Sequence, residues 1–459
     1  MNWSTYLQEN EQRFDNELMD FIRIPSVSTA PERTDDVRKA AEWVKRRLRG
    51  AGVPYVELID TPRHPVVFGR WVSSGDKPTV LIYGHYDVQP AEPFELWESS
   101  PFEPIVRDGR LFARGSSDMK ANMSALIQAI EAIGKTAGTL PVNLLLLIEG
   151  EEEIGSPNLP AIVADRKDQL GADFALSADG GMSDSSRPSL SVGLKGLTGC
   201  QINVRTGSTD LHSGSYGASV PNAVQVLAQL ASTFHNPDNS VAIKGFYDDV
   251  RPLTPQETAA IEGVPADDNG FLFESGAFAL WGETGYSVLE RRWTRPTLDF
   301  NGMWGGFQGQ GAKTVTPCEA HAKITCRIVP DQHPDRIMDL IEQHIIEHAP
   351  AFTEITIDRM KGSAFPYSLD LDTPALVTAF EVLTDVYGIE PRYVRSGGTV
   401  PITDVFKQQL GIPTITIGFA KPGSRAHAPN EWFEMADLPV ARNVYASFLE
   451  RIGNSAGNR

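Results

Sequence analysis

Five consecutive apolar residues, Leu144 to Ile148, run directly into four carboxylates within five positions: Glu149, Glu151, Glu152 and Glu153. So short an apolar run reads as a strand buried on both faces, as in a parallel sheet covered by helices. Adjacent carboxylates at the end of such a strand repel one another unless cations sit among them. Open α/β sheets gather their ligands at the carboxyl ends of strands, where these glutamates fall. A solvated acidic turn accounts for the stretch equally well on its own. Three further segments shift that balance: GHYD at 84–87, GSSD at 115–118 and AHAPNE at 426–431.

At 459 residues the chain exceeds one ordinary core, so two domains are expected. Around the leucine run, strands are expected at Tyr55–Leu58, Val66–Trp71, Thr79–Tyr83 and Phe174–Ser177, with helices at Asp35–Arg49 and Lys120–Ile133. This alternation signals an α/β sheet, and each candidate ligand follows a strand. From about Gly196 the pattern changes. Cys200–Arg205, Ala322–Val329 and Thr353–Ile357 alternate like half-exposed strands, with helices at Val220–Phe234 and Pro334–His348 among them. That reads as a smaller α+β sheet with helices on one face. An irregular stretch rich in Gly, Pro and Trp, roughly 236–311, separates its halves. Helix–strand alternation resumes at Thr373, with strands near Arg392–Val394 and Pro413–Ile417 and a last helix over Ala436–Ile452. The expected organisation is one α/β domain, 1–195 and 369–459, interrupted by a smaller domain at 196–368.

A net charge of −18 argues against nucleic acid as a partner, since no cationic surplus meets phosphates. The three cysteines form no CxxC pair, which speaks against a thiolate zinc site or disulfide framework and suits a reducing compartment. The opening residues lack the apolar core of a signal peptide, and no run approaches the ~20 apolar residues of a membrane helix. The expectation is a cytoplasmic protein with no membrane partner. Two motifs are decoys. His344, Glu347 and His348 spell HxxEH, but the histidines border the apolar stripe of their helix and fall in its last turn, so they are expected to be structural. GQGAKT at 309–314 resembles a phosphate loop, yet Ala312 separates Gly from Lys and no apolar strand is expected before it.

His85, Asp118, Glu153, Asp179 and His427 together supply two imidazoles and three carboxylates, a set that suits zinc, with manganese or cobalt as substitutes. One carboxylate shared between two ions would leave each two further protein ligands. With these residues stand GHYDVQP (84–90), ARGSSDMK (113–120), EGEEEIGS (149–156), DLHSG (210–214), GAKTVTP (311–317), CRIVP (326–330) and RSGGTVP (395–401). Through these motifs nearly the whole chain resembles the metallopeptidase superfamily of carnosine and cytosolic nonspecific dipeptidases, aminoacylase, glutamate carboxypeptidase and succinyl-diaminopimelate desuccinylase. The carnosinase-like branch is the most similar. The resemblance implies a zinc-peptidase-like mixed sheet covered by helices and a ferredoxin-like lid domain that dimerises.

By that resemblance, His85, Asp118 and Asp179 hold one metal, and Asp118, Glu153 and His427 hold the other, with Asp118 bridging. Asp87 braces His85 and sets its tautomer. Glu152 is the general base, Glu149 supports the strand end, and Glu151 is expected to be a solvated neighbour. Two ions about 3.5–4 Å apart would activate a shared water and polarise the scissile carbonyl. His212, reaching from the lid of a second subunit, is the expected oxyanion donor. Arg327 takes the substrate carboxylate, and Thr314, Gly398 and Thr399 are further substrate contacts.

Branches of this family that act on a free amino terminus tend to carry Asp where this chain has Asp179, whereas deacylases and carboxypeptidases carry Glu. The implied activity is a dipeptidase acting on short peptides with free ends. The alternatives are an N-acyl or N-carbamoyl amino acid amidohydrolase and, more remotely, a non-catalytic peptide-binding protein on the same fold. Two departures from the family pattern bear on the site. Met119 stands where relatives carry a small or polar residue, which bears on the cis peptide they have there. Gly180 and Gly181 follow Asp179, which bears on contacts to the substrate amine.

Overall fold

The leucine run is the middle of a strand, Asn143–Glu149, in which every residue is buried. Each of its large apolar side chains contributes roughly 1.5–3 kcal/mol relative to exposure. In this computed structural model, which describes residues 1–265, 267–398 and 400–456, the chain divides into two units. The first comprises Met1–Val192, Leu369–Val394 and Pro401–Arg459, and the second Gly193–Ser368 and Arg395–Val400. Among the described residues no helix is long and apolar enough to cross a membrane.

The first unit is built on the strands β1 (Tyr55–Ile59), β2 (Val66–Trp71), β3 (Thr79–His85), β4 (Asn143–Glu149), β5 (Phe174–Ser177) and β6 (Ser189–Leu194), whose last residues enter the second unit. They lie in the order β1, β2, β4, β3, β5, then the strand Thr414–Thr416, then β6. β4, β3, β5 and Thr414–Thr416 are parallel, while β1, β2 and β6 pair antiparallel with their neighbours. The sheet is therefore mixed, with its parallel strands at the centre. The helix Ala121–Ala137 is buried from Ala121 through Gly134 and ends at Gly138, whose φ of 72° supplies the left-handed cap.

The second unit holds four antiparallel strands: β7 (Gly196–Arg205), β8 (Thr297–Gly305), β9 (Glu319–Ile328) and β10 (Glu354–Arg359). Their order is β8, β9, β7, β10, and helices follow β7 and β9. This is the strand order of two interleaved βαβ units, the ferredoxin-like arrangement. The helices Ala223–Ala231 and Pro334–His348 pack Leu227, Leu230, Ile337 and Ile341 with Ile202 and Ile324 of the sheet in one core.

Two expectations need correction. The stretch 236–311 is not irregular throughout. It contains β8 and the helices Pro255–Glu262, Asp268–Ser275 and Val288–Trp293. The first and last of these start with capping boxes, Thr254 with Glu257 and Ser287 with Glu290. GQGAKT does follow a strand, since β8 ends at Gly305. The chain then enters another short strand, Val315–Thr316, and not the helix a phosphate loop requires. HxxEH is structural as expected: His344 is buried, its Nε2 lies 2.8 Å from Thr233 Oγ1, and it stacks on His348.

Candidate metal centre

Three neighbouring parallel strands deliver the first candidates at one level of the sheet. His85 is the last residue of β3 and stands in register with Glu149, the last of β4. Tyr83 is paired with Ser177, so β5 ends alongside, and Asp179 lies two residues beyond it. Glu152 and Glu153 open a short 3-10 turn directly after β4. Asp118 comes from the turn that starts at Gly115, whose φ is 82°. A Cβ there would press on Val88, so both the backbone and the space favour glycine. The Asp118–Met119 peptide is cis despite the larger side chain, which is buried with its Sδ 3.3 Å from the His85 N–H. His427 sits at a φ of 62° in the loop after Thr414–Thr416, a left-handed conformation that costs a non-glycine residue roughly 1–2 kcal/mol.

Asp118 presents its two oxygens to two different partners. Oδ1 lies 3.2 Å from His85 Nε2, and Oδ2 lies 2.9 Å from His427 Nε2. On the His85 side, Asp179 Oδ2 approaches the same Nε2 at 3.9 Å. On the His427 side, Glu153 Oε2 lies 3.2 Å from the imidazole. Ligand atoms of His85, Asp118 and Glu153 fall within 4.8 Å of one another, and so do those of His85, Glu152 and Asp179. All these residues belong to the first unit.

The electrostatics fit a site made for cations. Burial, then the charge of Asp118, pushes the Asp179 carboxyl up to about 7. Burial also carries Glu152 well above the usual carboxylate range, and the neighbouring Asp179, Glu153 and Asp87 add to it against the pull of His85. Hydrogen bonds donated to the Asp118 and Glu153 carboxylates push His427 up to about 10. Burial opposes a charge on His85, but Asp118, Asp87 and Asp179 outweigh it and hold its pKa well above normal. Glu153 Oε1 is buried with no hydrogen-bond partner among the described residues. Buried carboxylates crowded this closely, together with an orphaned buried oxygen, are what divalent cations would relieve, and the N/O donor set suits zinc, manganese or cobalt.

The surrounding residues hold this set in place. Asp87 accepts the N–H of Glu152 at 3.2 Å and of Glu153 at 3.1 Å through its two carboxylate oxygens. Its backbone carbonyl, 3.0 Å from His85 Nδ1, is nearer to that ring than its carboxylate at 3.5 Å. Glu149 accepts from Tyr83 Oη and Ser156 Oγ, each at 2.7 Å, and burial pushes it up to about 8. Glu151 departs from expectation. It is buried, not solvated, and receives the His64 N–H at 2.7 Å, Thr61 Oγ1 at 2.9 Å and Asn158 Nδ2 at 2.7 Å.

Sequence reasoning missed Glu431. This fully buried carboxylate accepts the N–H groups of Ser117 and Asp118 on Oε1, at 2.8 and 3.1 Å, and the Gly115 N–H on Oε2 at 2.9 Å. Arg114, also buried, donates to Oε2 at 2.7 Å. Glu431 thus clamps the turn that carries Asp118. Its sequence signal was its place in the same hexapeptide as His427. Gly180 has a packing role: a Cβ on Gly418 would collide with its carbonyl, so two backbone segments pass closely beside Asp179.

The other candidates lie in the second unit. His212 is exposed, and its Nδ1 accepts the Gly214 N–H at 2.9 Å. The short strand Leu211–His212 pairs with Val315–Thr316, and the Ser213 N–H reaches the Thr314 carbonyl at 3.1 Å, so His212 and Thr314 are neighbours. Arg327 and Gly398 line one cavity. Thr399 lies outside the described residues.

A family model described as peptidase family M20/M25/M40 matches residues 81–451. The Cys-Gly metallodipeptidase dug1 of Schizosaccharomyces pombe is 29% identical, over 98% of this chain and 97% of its own length. Among solved structures, the M20 family metallo-carboxypeptidase Sso-CP2 from Sulfolobus solfataricus superposes with a TM-score of 0.84 at 33% identity, covering 96% of this chain and 99% of that one. Human carnosine dipeptidase 1 superposes with a TM-score of 0.79 at 25% identity over 98% of each chain. The family model spans most of the sequence, and the chain therefore belongs to peptidase family M20/M25/M40, alongside relatives that are metallodipeptidases.

Proposed function

We propose that this chain is a metal-dependent dipeptidase that hydrolyses the peptide bond of short peptides with free amino and carboxyl ends. The observation that carries the reading is the divided carboxylate of Asp118, with one oxygen toward His85 and the other toward His427. In this reading His85, Asp118 and Asp179 hold one divalent ion, Asp118, Glu153 and His427 hold a second, and zinc is favoured over manganese or cobalt. When bound, such a pair lowers the pKa of a water and polarises the substrate carbonyl.

The protein's own groups do the rest. Glu152, held at its N–H by Asp87, takes the proton of the attacking water and delivers it to the departing amine. Arg327 takes the substrate's α-carboxylate through its planar fork, and Gly398 and Thr399 are further substrate contacts. His212 and Thr314 serve the active site of a second copy, His212 as the donor to the developing oxyanion. The protein is accordingly a homodimer joined through the second unit. The three unpaired cysteines support a cytoplasmic setting.

The activity is tested by comparing Ala-Ala with N-acetyl-Ala-Ala and N-acetylalanine, in the presence of zinc or manganese. The free dipeptide is expected to be the preferred substrate. Preference for either blocked compound would defeat the dipeptidase reading and favour a carboxypeptidase or deacylase. The dimer is tested by mixing His212→Ala subunits with Glu152→Ala subunits. Each variant alone is expected to be nearly inactive, and exchange should restore a fraction of the turnover. No recovery after demonstrated subunit exchange would rule out a trans role for His212.

A further inference from the structure

This chain carries a net charge of −18, yet five cationic side chains, Lys195, Arg291, Arg292, Arg295 and Arg327, line one cavity of about 870 Å³ in the second unit. Two carboxylates among the described residues, Glu283 and Asp299, line it with them. Glu283 is already committed, because Arg295 donates to both of its oxygens at 2.6 and 2.7 Å. Arg295 also stacks on Tyr247 and Tyr286. Among the described residues, Asp299 is the other lining carboxylate, beside Lys195, Arg291, Arg292 and Arg327.

The individual cations are held in place. Lys195 is buried and donates to the Arg291 carbonyl at 2.8 Å. Burial pushes its amine down to about 8, and the charges of Arg327, Arg295 and Arg292 add to that against the pull of Asp299. Arg292 holds its guanidinium 4.9 Å from the centre of the Phe271 ring and pairs with no carboxylate among the described side chains. Like charges gathered on the wall of one cavity raise the potential inside it and attract anions.

We propose that this cavity selects an acidic side chain on the residue C-terminal to the scissile bond, so that the preferred substrates are dipeptides ending in Asp or Glu. The inference rests on the dipeptidase reading above. Arg327 and Gly398, the contacts assigned there to the substrate's carboxyl end, line this same cavity. A residue whose α-carboxylate is held by Arg327 therefore brings its side chain among Lys195, Arg291 and Arg292. A second carboxylate meets cations there, and a lysine side chain meets repulsion.

The test uses the metal-loaded, full-length enzyme and three peptides that differ little in size: Ala-Glu, Ala-Gln and Ala-Lys. The kcat/KM for Ala-Glu is expected to exceed that for Ala-Gln about tenfold, as charge-assisted pairing outweighs a neutral hydrogen bond, and Ala-Lys should fall below both. Arg292 is exposed, so Arg292→Gln should fold normally. In that variant the Ala-Glu to Ala-Gln ratio should drop several-fold, and Arg292→Lys should retain most of it. Equal kcat/KM for Ala-Glu and Ala-Gln in the wild type would overturn the acidic preference and leave the dipeptidase reading standing. A ratio unmoved by Arg292→Gln would overturn it too. Hydrolysis of N-acetylated substrates with none of the three dipeptides cleaved would instead bring down the dipeptidase reading.

Discussion

With Glu152 replaced by glutamine, kcat falls about 10²–10⁴-fold while the protein keeps its fold and its divalent ions, because the amide fills the same space but accepts no proton. The backbone of residue 152 stays pinned by Asp87, so the substitution changes chemistry before it changes shape. Candidate donor atoms of Glu152, His85 and Asp179 also lie within 4.8 Å of one another, and a direct role in holding metal would produce a similar loss of turnover. Metal content separates the two explanations. A base leaves two ions per chain bound in Glu152→Gln, whereas a ligand does not. The base role also removes the acid limb of the kcat/KM profile, since a carboxylate works as a base only above its own pKa. Undiminished turnover in the variant would end the assignment.

Glu431→Ala is expected to cost about 3–5 kcal/mol of stability, because it strands the buried Arg114 guanidinium without its counter-ion. The same change frees the N–H groups of Gly115, Ser117 and Asp118, so the turn bearing Asp118 loses its anchor. Metal affinity is therefore expected to fall as well, by roughly 10–100-fold, the usual consequence of losing a ligand's supporting partner. Thermal unfolding of the metal-free protein reads the first effect, and equilibrium dialysis against zinc reads the second. Glu431→Gln gives an intermediate result, since one of its two oxygens becomes a donor facing donors. Wild-type metal affinity in a folded Glu431→Ala protein would show that the clamp does not govern the position of Asp118.

The frame of the site was legible because hydrophobic periodicity marks strands and the candidate ligands follow them. β2, β5 and the helix Pro334–His348 begin and end where the apolar pattern does. β8 was hidden because its alternation breaks at a bulge between Phe300 and Gly302, and its surroundings are rich in turn residues. Glu151 was misjudged for a different reason. Its neighbours in the chain are acidic, but Thr61 and His64, about 90 residues away, supply the donors that bury it. Met119 stands where relatives carry a small or polar residue, and the absence of a side chain at Gly84 leaves room for its thioether. Glu431 shows the limit of motif reading: a carboxylate beside a candidate ligand carries no mark of which distant turn it will hold.

The division of the chain into units also has a consequence for biosynthesis. His85, Asp118, Glu153 and Asp179 are translated before the inserted second unit, whereas His427 and Glu431 come after it. A ribosome that has made the first four has therefore produced a crowded acidic pocket with neither its last imidazole nor the clamp on Asp118. Under the metal assignment proposed above, loading is expected to be a late event, completed only when the segment carrying His427 folds back onto a sheet begun more than two hundred residues earlier.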